Sequence, residues 1–323
     1  MPRFSVIVPT YNRRRIIAQT LQSVWNQSYR DFELIVVDDG SSDGTLEYLV
    51  SLPTRIKVVR QENLGPGAAR NLGAAQASGD YLAFLDSDDI WFPWALATFA
   101  EIIDQHVGPS IISSKPVEFA DAGKLAEIRI EPIKVDSFPD YFASSNANYY
   151  VGSGMMILRR DIFLESGGFI DERLNGEDHD LILRLGSASG FVQVLAPITL
   201  AYYRHSMSES SDQERTAGGI LRMIKQERIG AYPGGVARAR QRHRILTSHA
   251  RAASLGCLRT DRLVDAWRLY LTTLGWNTKL RRWKYILLFP VLATAACCAR
   301  RNWISKRSQK GLRGSAYNSV PTL

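Results

Sequence analysis

Apolar positions in the N-terminal half of the chain come in two rhythms. Phe4-Ser5-Val6-Ile7-Val8-Pro9, Glu33-Leu34-Ile35-Val36-Val37, Ile56-Lys57-Val58-Val59 and Gly79-Asp80-Tyr81-Leu82-Ala83-Phe84-Leu85 are short and mostly apolar. That is the pattern of strands buried on both faces of a parallel sheet. Between the first two runs, Ile16, Ile17, Thr20, Leu21 and Val24 recur at helical spacing. After the third, Gly65-Pro66-Gly67 is a turn that opens a small-residue helix ending before Gly79. Strand and helix alternate throughout, which predicts an α/β fold with a Rossmann-like, mainly parallel sheet flanked by helices.

The polar residues that end these strands are the candidate chemistry, because ligands of open α/β sheets bind where the strands end. The second strand runs into Asp38-Asp39-Gly40-Ser41-Ser42-Asp43, and the fourth into Asp86-Ser87-Asp88-Asp89. Side chains alternate along extended chain, so Asp86 and Asp88 can face one site. Two such carboxylates suit Mg2+ or Mn2+, which complete their shells with water and substrate phosphate oxygens. The alternatives are a solvated acidic loop at the fourth strand and plain turn formation at Asp38 and Asp39. Asp89 reads as a third contributor to that site or, preferred, as a cap, with Trp91-Phe92-Pro93 beginning the next helix. Further on, Gly176-Glu177-Asp178-His179-Asp180 precedes an apolar run, and its acids suit the first turn of a helix.

Five segments in order, Ser5-Val6-Ile7-Val8-Pro9-Thr10-Tyr11-Asn12, Val37-Asp38-Asp39-Gly40-Ser41-Ser42-Asp43, Ala69-Arg70-Asn71-Leu72-Gly73, Phe84-Leu85-Asp86-Ser87-Asp88-Asp89 and Gly176-Glu177-Asp178, match family 2 glycosyltransferases of the GT-A fold. The resemblance covers about residues 3 to 206. It implies an inverting enzyme that moves a sugar from a nucleotide-diphosphate donor to a hydroxyl of a glycan or lipid-linked acceptor, in surface polysaccharide or glycoconjugate synthesis. It places Pro9, Tyr11, Asp39, Arg70 and Asp86 at the donor nucleotide. A carboxylate only accepts hydrogen bonds, so Asp39 could read a ring N–H that uracil offers and cytosine lacks, and a UDP-sugar is the expected donor. For Arg70 the competing reading is a surface helix charge. The resemblance makes Asp88 the ligand of Mn2+ or Mg2+, with Asp86 and His205 as further candidates. His205 follows Arg204 directly, where many relatives have a residue between, and a surface histidine at the end of a strand is the equal alternative. Asp178 matches the catalytic base and Glu177 is its competitor. A first-turn position lowers an aspartate's pKa, whereas burial and neighbouring carboxylates raise it. Gly152-Ser153-Gly154 and Ser166-Gly167-Gly168-Phe169 are expected on the acceptor side.

Charge changes the picture beyond that region. Residues 1–221 hold 19 Lys and Arg against 29 Asp and Glu, while residues 222–323 hold 21 against 3, so the formal +8 conceals an acidic front and a strongly basic back. The back reads as a C-terminal helical extension over 209–275, with Ile220, Leu221, Ile224, Ile245, Leu246, Leu263, Trp267 and Leu271 as its apolar positions. A basic, membrane-associating tail follows over 276–323, with 304–323 disordered; the catalytic domain takes 1–208. In the tail, Tyr285 to Ala299 is apolar with cationic flanks, but it is shorter than the about twenty residues a spanning helix needs and holds Pro290, expected to kink it. Peripheral contact with the cytoplasmic face of a membrane is expected, and a buried helix is the alternative. Nucleic acid is not an expected partner, because no aromatic platform interleaves the arginines. No signal peptide is read, and Cys257, Cys297 and Cys298 lack metal-site spacing, consistent with a reducing cytoplasm. Two other classes fit less well. A sugar nucleotidyltransferase would carry glycines beside Arg13-Arg14-Arg15, and a non-catalytic nucleotide-binding scaffold would not need Asp86, Asp88 and Asp178 together.

Overall fold

The structure, a computed structural model, describes residues 1–52, 56–119, 122–170, 172, 174–203 and 212–314. Strands β1 (Phe4–Thr10), β2 (Phe32–Asp38), β3 (Lys57–Arg60) and β4 (Tyr81–Phe84) are followed by β5 (Ile90–Trp91), β6 (Ile111–Ser113), β7 (Pro116–Phe119) and β8 (Lys134–Phe138), then β9 (Met156–Arg159), β10 (Phe191–Ala196) and β11 (Leu200–Tyr203). Eight form one sheet in the order β3-β2-β1-β4-β9-β6-β10-β8, and β5-β11-β7 form a small second sheet. In the large sheet β3, β2, β1 and β4 are parallel. β9 runs against both β4 and β6, β10 is parallel to β6, and β8 is antiparallel to β10. Six strands therefore point one way and only β9 and β8 the other.

All seven residues of β1 are buried, as a central strand covered on both faces must be. The flanking helices of this part are α1 (Ile17–Trp25), α2 (Thr45–Ser51), α3 (Pro66–Ala75), α4 (Ala95–Gln105), α5 (Arg160–Glu165) and α6 (Glu177–Arg184). From β1 the chain builds outward through β2 and β3, then returns to β1's other side as β4. The order reverses between β1 and β4, and the crevice beyond the ends of those strands is where a ligand is expected. α3 lies tightly on this point: a Cβ at Gly73 would come within 2.5 Å of Ile7 Cγ2. That approach sets Arg70, one turn earlier on α3, above the ends of β1 and β4.

Three expectations are corrected. Trp91 does not begin a helix: Ile90–Trp91 is β5, paired with Leu200 and Ala201, and α4 starts at Ala95. The divisions at 208 and 275 also differ from what is found. Met1–Ser211 groups with Lys225–Ile245, and Asp212–Ile224 with Leu246–Leu323. Residues 225–245 join the first unit because their polar side chains do: buried Tyr232 donates to Asp180 Oδ1 at 2.8 Å, and Arg238 pairs with Asp140. Within the same unit, buried Arg242 pairs with Glu227 at 2.6 Å and also donates to the carbonyls of Pro233 and Gly235. Finally, the stretch from Tyr285 is no separate tail and residues 304–314 are not coil. Both belong to one long helix.

The second unit takes part of α7 (Gln213–Arg228) and of α8 (Gly235–Arg259), with α9 (Leu263–Lys279) and α10 (Trp283–Gly314) entire. Phe289 of α10 is fully buried and stacks on Tyr270 of α9, ring centroids 4.5 Å apart. The helix continues through Pro290. Proline cannot donate to the carbonyl four residues back; Tyr270 OH donates to that Ile286 carbonyl instead, at 2.9 Å. Among the described residues, no helix is long and apolar enough to cross a membrane.

Candidate active site

Arg70 is buried, 4% exposed, and so is not the surface charge that its place on a helix allowed. Its Nη2 donates to Asp86 Oδ1 at 2.6 Å and its Nη1 to Glu177 Oε1 at 3.1 Å. Two carboxylates across it hold its proton more firmly than usual, against the cost of burial. α3, the end of β4 and the start of α6 are thereby drawn to one point. Phe169 supports the clamp: its ring lies 5.4 Å from the Arg70 guanidinium, and its backbone N–H and C=O are both bound by the Asn71 side chain at 2.8 Å.

Asp178 stands beside this clamp without being bonded to it. Its Oδ1 accepts from the His179 N–H at 2.7 Å and its Oδ2 from the Ser153 N–H at 3.2 Å. Burial dominates and pushes its carboxyl up to about 6, against the opposing effects of those two N–H groups and of Arg70. Glu177 is raised as well, by burial and by Asp178, but Arg70 opposes that shift through a direct bond. His179 Nδ1 lies 3.7 Å from Asp178 Oδ1. Burial lowers the imidazole to about 4, so near neutrality this contact is not an ion pair.

Around the end of β4, Asp88 Oδ2 lies 3.4 Å from Arg13 Nη2. Asp89 is buried and its Oδ1 accepts the Tyr203 N–H at 3.0 Å, so it fastens β11 instead of capping α4. Burial, then the charges of Asp86 and Asp88, push its carboxyl well above the usual range. The segment 152–154 closes over these acids. A Cβ on Gly154 would fall 3.2 Å from Asp89 Oδ2 and 3.6 Å from Asp86 Oδ2, while one on Gly152 would fall 3.6 Å from Asp178 Oδ2. Segment 152–154 therefore borders both the strand-end acids and Asp178.

Asp39 lies at the neighbouring strand end and is largely satisfied by the protein. Its carboxylate accepts from Gln61 Nε2 at 2.8 Å and from the N–H groups of Leu64 and Gly65 at 2.9 Å. Its own N–H donates to the Thr10 carbonyl, which ties it to the end of β1 between Pro9 and the half-exposed Tyr11. Asp38 is fully buried, accepts from the Ser41 N–H and holds the turn. His205 lies outside the described residues. Sequence reasoning missed Arg13 and the Ser153 N–H. The run Arg13-Arg14-Arg15 was a visible signal for the first; nothing local signalled the second.

Among the described residues no three His, Cys, Asp or Glu side chains are arranged to hold a metal on their own. The donor set fits an ion that brings other ligands with it. Asp86, Asp88, Asp89, Glu177 and Asp178 gather around Arg13 and Arg70, an excess of carboxylates in a partly buried crevice, and after burial the charges of Asp86 and Asp88 help to raise Asp89. Divalent ions are commonly held by one or two carboxylates together with substrate phosphates.

The family model described as "Glycosyl transferase family 2" matches residues 5–167, half of the chain and the whole region from β1 to α5. The chain belongs to glycosyl transferase family 2. An uncharacterized glycosyltransferase of Haemophilus influenzae is 30% identical over 223 residues, 67% of this chain and 74% of the relative. A relative from Campylobacter jejuni, named GalNAc(5)-diNAcBac-PP-undecaprenol beta-1,3-glucosyltransferase, is 42% identical over 106 residues, 31% of this chain and 34% of that protein. The chain spans about a third or less of several other relatives it matches. In solved structures, this family 2 glycosyltransferase is similar to S. aureus TarS 1-349 in complex with UDP-GlcNAc, with a TM-score of 0.57 and 20% identity, covering 86% of this chain and 92% of that one. It is also similar to the mannosyltransferase PcManGT from Pyrobaculum calidifontis in complex with GDP-Man and Mn2+, at 0.53 and 20%, covering 91% and 86%. Both support the GT-A fold. The nucleotidyltransferase reading has no support in the family match.

Proposed function

We propose that this protein is an inverting glycosyltransferase that transfers a sugar from a nucleoside diphosphate donor, a UDP-sugar, to a hydroxyl of a glycan or lipid-linked acceptor, with Asp178 as the base. The observation that carries the reading is Asp178 itself: a largely buried carboxylate raised to about 6, held by two backbone N–H groups and not hydrogen-bonded by Arg70. Such a group is ionised at neutral pH yet basic enough to take a proton. The acceptor oxygen forms its bond to the anomeric carbon as the bond from that carbon to the diphosphate breaks. The acceptor proton passes to Asp178, and the electron pair leaves with the diphosphate.

Arg70 fixes Asp86 toward the donor and neutralises Glu177, so that one of two adjacent acids is left to act. Asp88, with Asp86, would hold a divalent ion, Mn2+ or Mg2+; when bound it supplies Lewis-acid stabilisation of the leaving diphosphate. A carboxylate has about four acceptor positions. Three at Asp39 are taken, which leaves one for a ring N–H of the base, with Pro9 and Tyr11 beside it. The name of the Campylobacter relative favours a polyprenyl-diphosphate-linked saccharide as acceptor.

The test is a thermal-shift panel of UDP, GDP, dTDP and CDP with and without Mn2+, followed by diphosphate release from the matching sugar donors. UDP with Mn2+ should stabilise most; a ligand at a hundred times its dissociation constant adds about 2.7 kcal/mol. A larger shift from GDP or dTDP would overturn the donor, and no acceptor-dependent release from any donor would overturn the enzyme.

A further inference from the structure

The described residues hold their largest concentration of exposed apolar side chains far from the acidic crevice in sequence, on α9 and α10. α10 has two unlike faces. Phe289 and Ala293 are buried against α9, where Trp267 and Tyr270 meet Phe289 edge-on and stacked. The opposite face carries Leu287, Leu288, Val291 and Leu292, exposed by 69, 57, 63 and 49%, with Trp283 exposed one turn before them. The spacing i, i+1, i+4, i+5 makes these four a continuous strip on the helix. Beside it, Leu263, Val264, Trp267, Leu271, Ala293 and Cys297 line a groove of about 730 Å³ whose walls are almost entirely apolar.

Beyond Asp265, which pairs with Arg262 at 2.8 Å, the charge has one sign. From Ala266 to Leu323 there are eleven Lys and Arg and no Asp or Glu. Lys279, Arg281, Arg282 and Lys284 immediately precede the strip, and Arg300 and Arg301 follow it in sequence. Within this unit Arg251 faces Arg282 and the Tyr285 ring, 6.0 Å from its guanidinium. Its Nη1 is buried with no hydrogen-bond partner among the described residues. Burial, then the charge of Arg282, brings Arg251 down to about 10. Two guanidiniums so placed add to the positive field of this unit.

We propose that the α9–α10 face is a docking surface for an anionic lipid bilayer, with the Leu287 to Leu292 strip entering the boundary between headgroups and acyl chains and the surrounding arginines and lysines meeting lipid phosphates. Charge selects this occupant over a second copy of the chain. A two-fold dimer sets the same patch against itself, so Lys279, Arg281, Arg282 and Lys284 would meet their own copies with no acid among them to pair. An anionic bilayer satisfies both components of the surface at once, as interfacial helices with an apolar face and basic flanks do. The inference is independent of the donor site and survives if that reading fails.

The experiment is co-sedimentation of the full chain with vesicles of phosphatidylglycerol and phosphatidylcholine, at low and high salt, alongside sedimentation velocity without lipid. Binding to phosphatidylglycerol vesicles should exceed that to pure phosphatidylcholine at least tenfold and weaken with salt. Leu288→Asp combined with Val291→Asp should remove it at every salt concentration, and Arg281→Glu with Lys284→Glu should remove mainly the salt-sensitive part. A second readout needs no disruptive variant: Trp283 emission should shift blue and be quenched by brominated lipid, with the quenching reduced in Trp283→Phe. No sedimentation with phosphatidylglycerol at low salt, or equal binding to both vesicles with Trp283 unquenched, would overturn the proposal. So would a lipid-free dimer that Leu288→Asp converts to monomer, since the face would then belong to a second copy.

Discussion

Arg70 Nη1 donates to Glu177 Oε1 at 3.1 Å, and this one bond distinguishes two adjacent acids that are otherwise alike in type, burial and helix position. Both carboxyls are raised, but only that of Glu177 is tied to a guanidinium. Removing the arginine should therefore be costly in a way that removing the glutamate's charge is not. The side chains of Arg70 and Glu177 are 5 and 14% exposed. Breaking such a pair leaves buried carboxylates uncompensated, at about 3 to 5 kcal/mol. Arg70→Ala should lower the melting temperature by several degrees in thermal unfolding at pH 8, with a smaller loss near pH 5, where the neighbouring acids can take up protons. Glu177→Gln, which keeps a hydrogen-bond acceptor for Arg70, should cost less than half as much.

Asp88 is expected to act on the metal-bound form of the donor alone. Calorimetric titration of UDP should show Mn2+-enhanced affinity in the wild type. Asp88→Ala should lose that enhancement, tenfold or more, and keep the weaker metal-independent affinity. Unchanged enhancement would remove Asp88 as a ligand. Loss of binding under both conditions would make its role structural, through Arg13.

The raised carboxyl of Asp178 has a consequence for stability with a definite sign. The folded protein holds this proton more tightly than the unfolded chain, so ionising it costs stability as pH climbs from the ordinary 3.8 to about 6, and the full cost persists above that. The shift corresponds to an order of 3 kcal/mol. In melts from pH 4 to pH 8, Asp178→Asn should gain on the wild type steadily up to about pH 6.5 and then hold its advantage. The rate should follow the same ionisation, with kcat/KM rising through pH 6 to a plateau as the base loses its proton.

In the second unit, Tyr270 OH on the Ile286 carbonyl substitutes for the N–H that Pro290 lacks. Tyr270→Phe leaves that carbonyl without its donor and should destabilise by about 1 kcal/mol. In a Pro290→Ala background the helix supplies the missing N–H, and the same substitution should cost much less. A double-mutant cycle in chemical denaturation reads the difference directly. Equal costs in both backgrounds would mean that the hydroxyl does not serve this purpose.

The parts legible in the sequence are those whose cause is local. β1 to β4 show as apolar runs because both their faces are covered, and the strand-end motifs around Asp39 and Asp86 follow them directly. Elements made by distant pairing were not legible. Asp89 looks like a cap until Ile90–Trp91 is seen paired with residues far along the chain, and β9 and β8 carry no mark of running against their neighbours. The distinction between Asp178 and Glu177 depends on Ser153 and Arg70, brought from other elements, and the reversal of the helix-dipole expectation for Asp178 comes from burial, which distant elements supply. Pro290 reads as a break because the residue that compensates for it lies on another helix.

Asp178 is the group assigned to take the acceptor proton. Asp178→Asn is nearly isosteric and keeps one acceptor for its backbone partners, but it cannot take a proton. The most direct measurement is its turnover of the sugar donor determined beside its donor affinity. Turnover should fall by at least about a hundredfold while donor affinity stays close to wild type, the signature of an interaction made in the transition state. Near-wild-type turnover would contradict the assignment and move the base to Glu177, and a parallel loss of donor binding would make Asp178 part of the donor site instead.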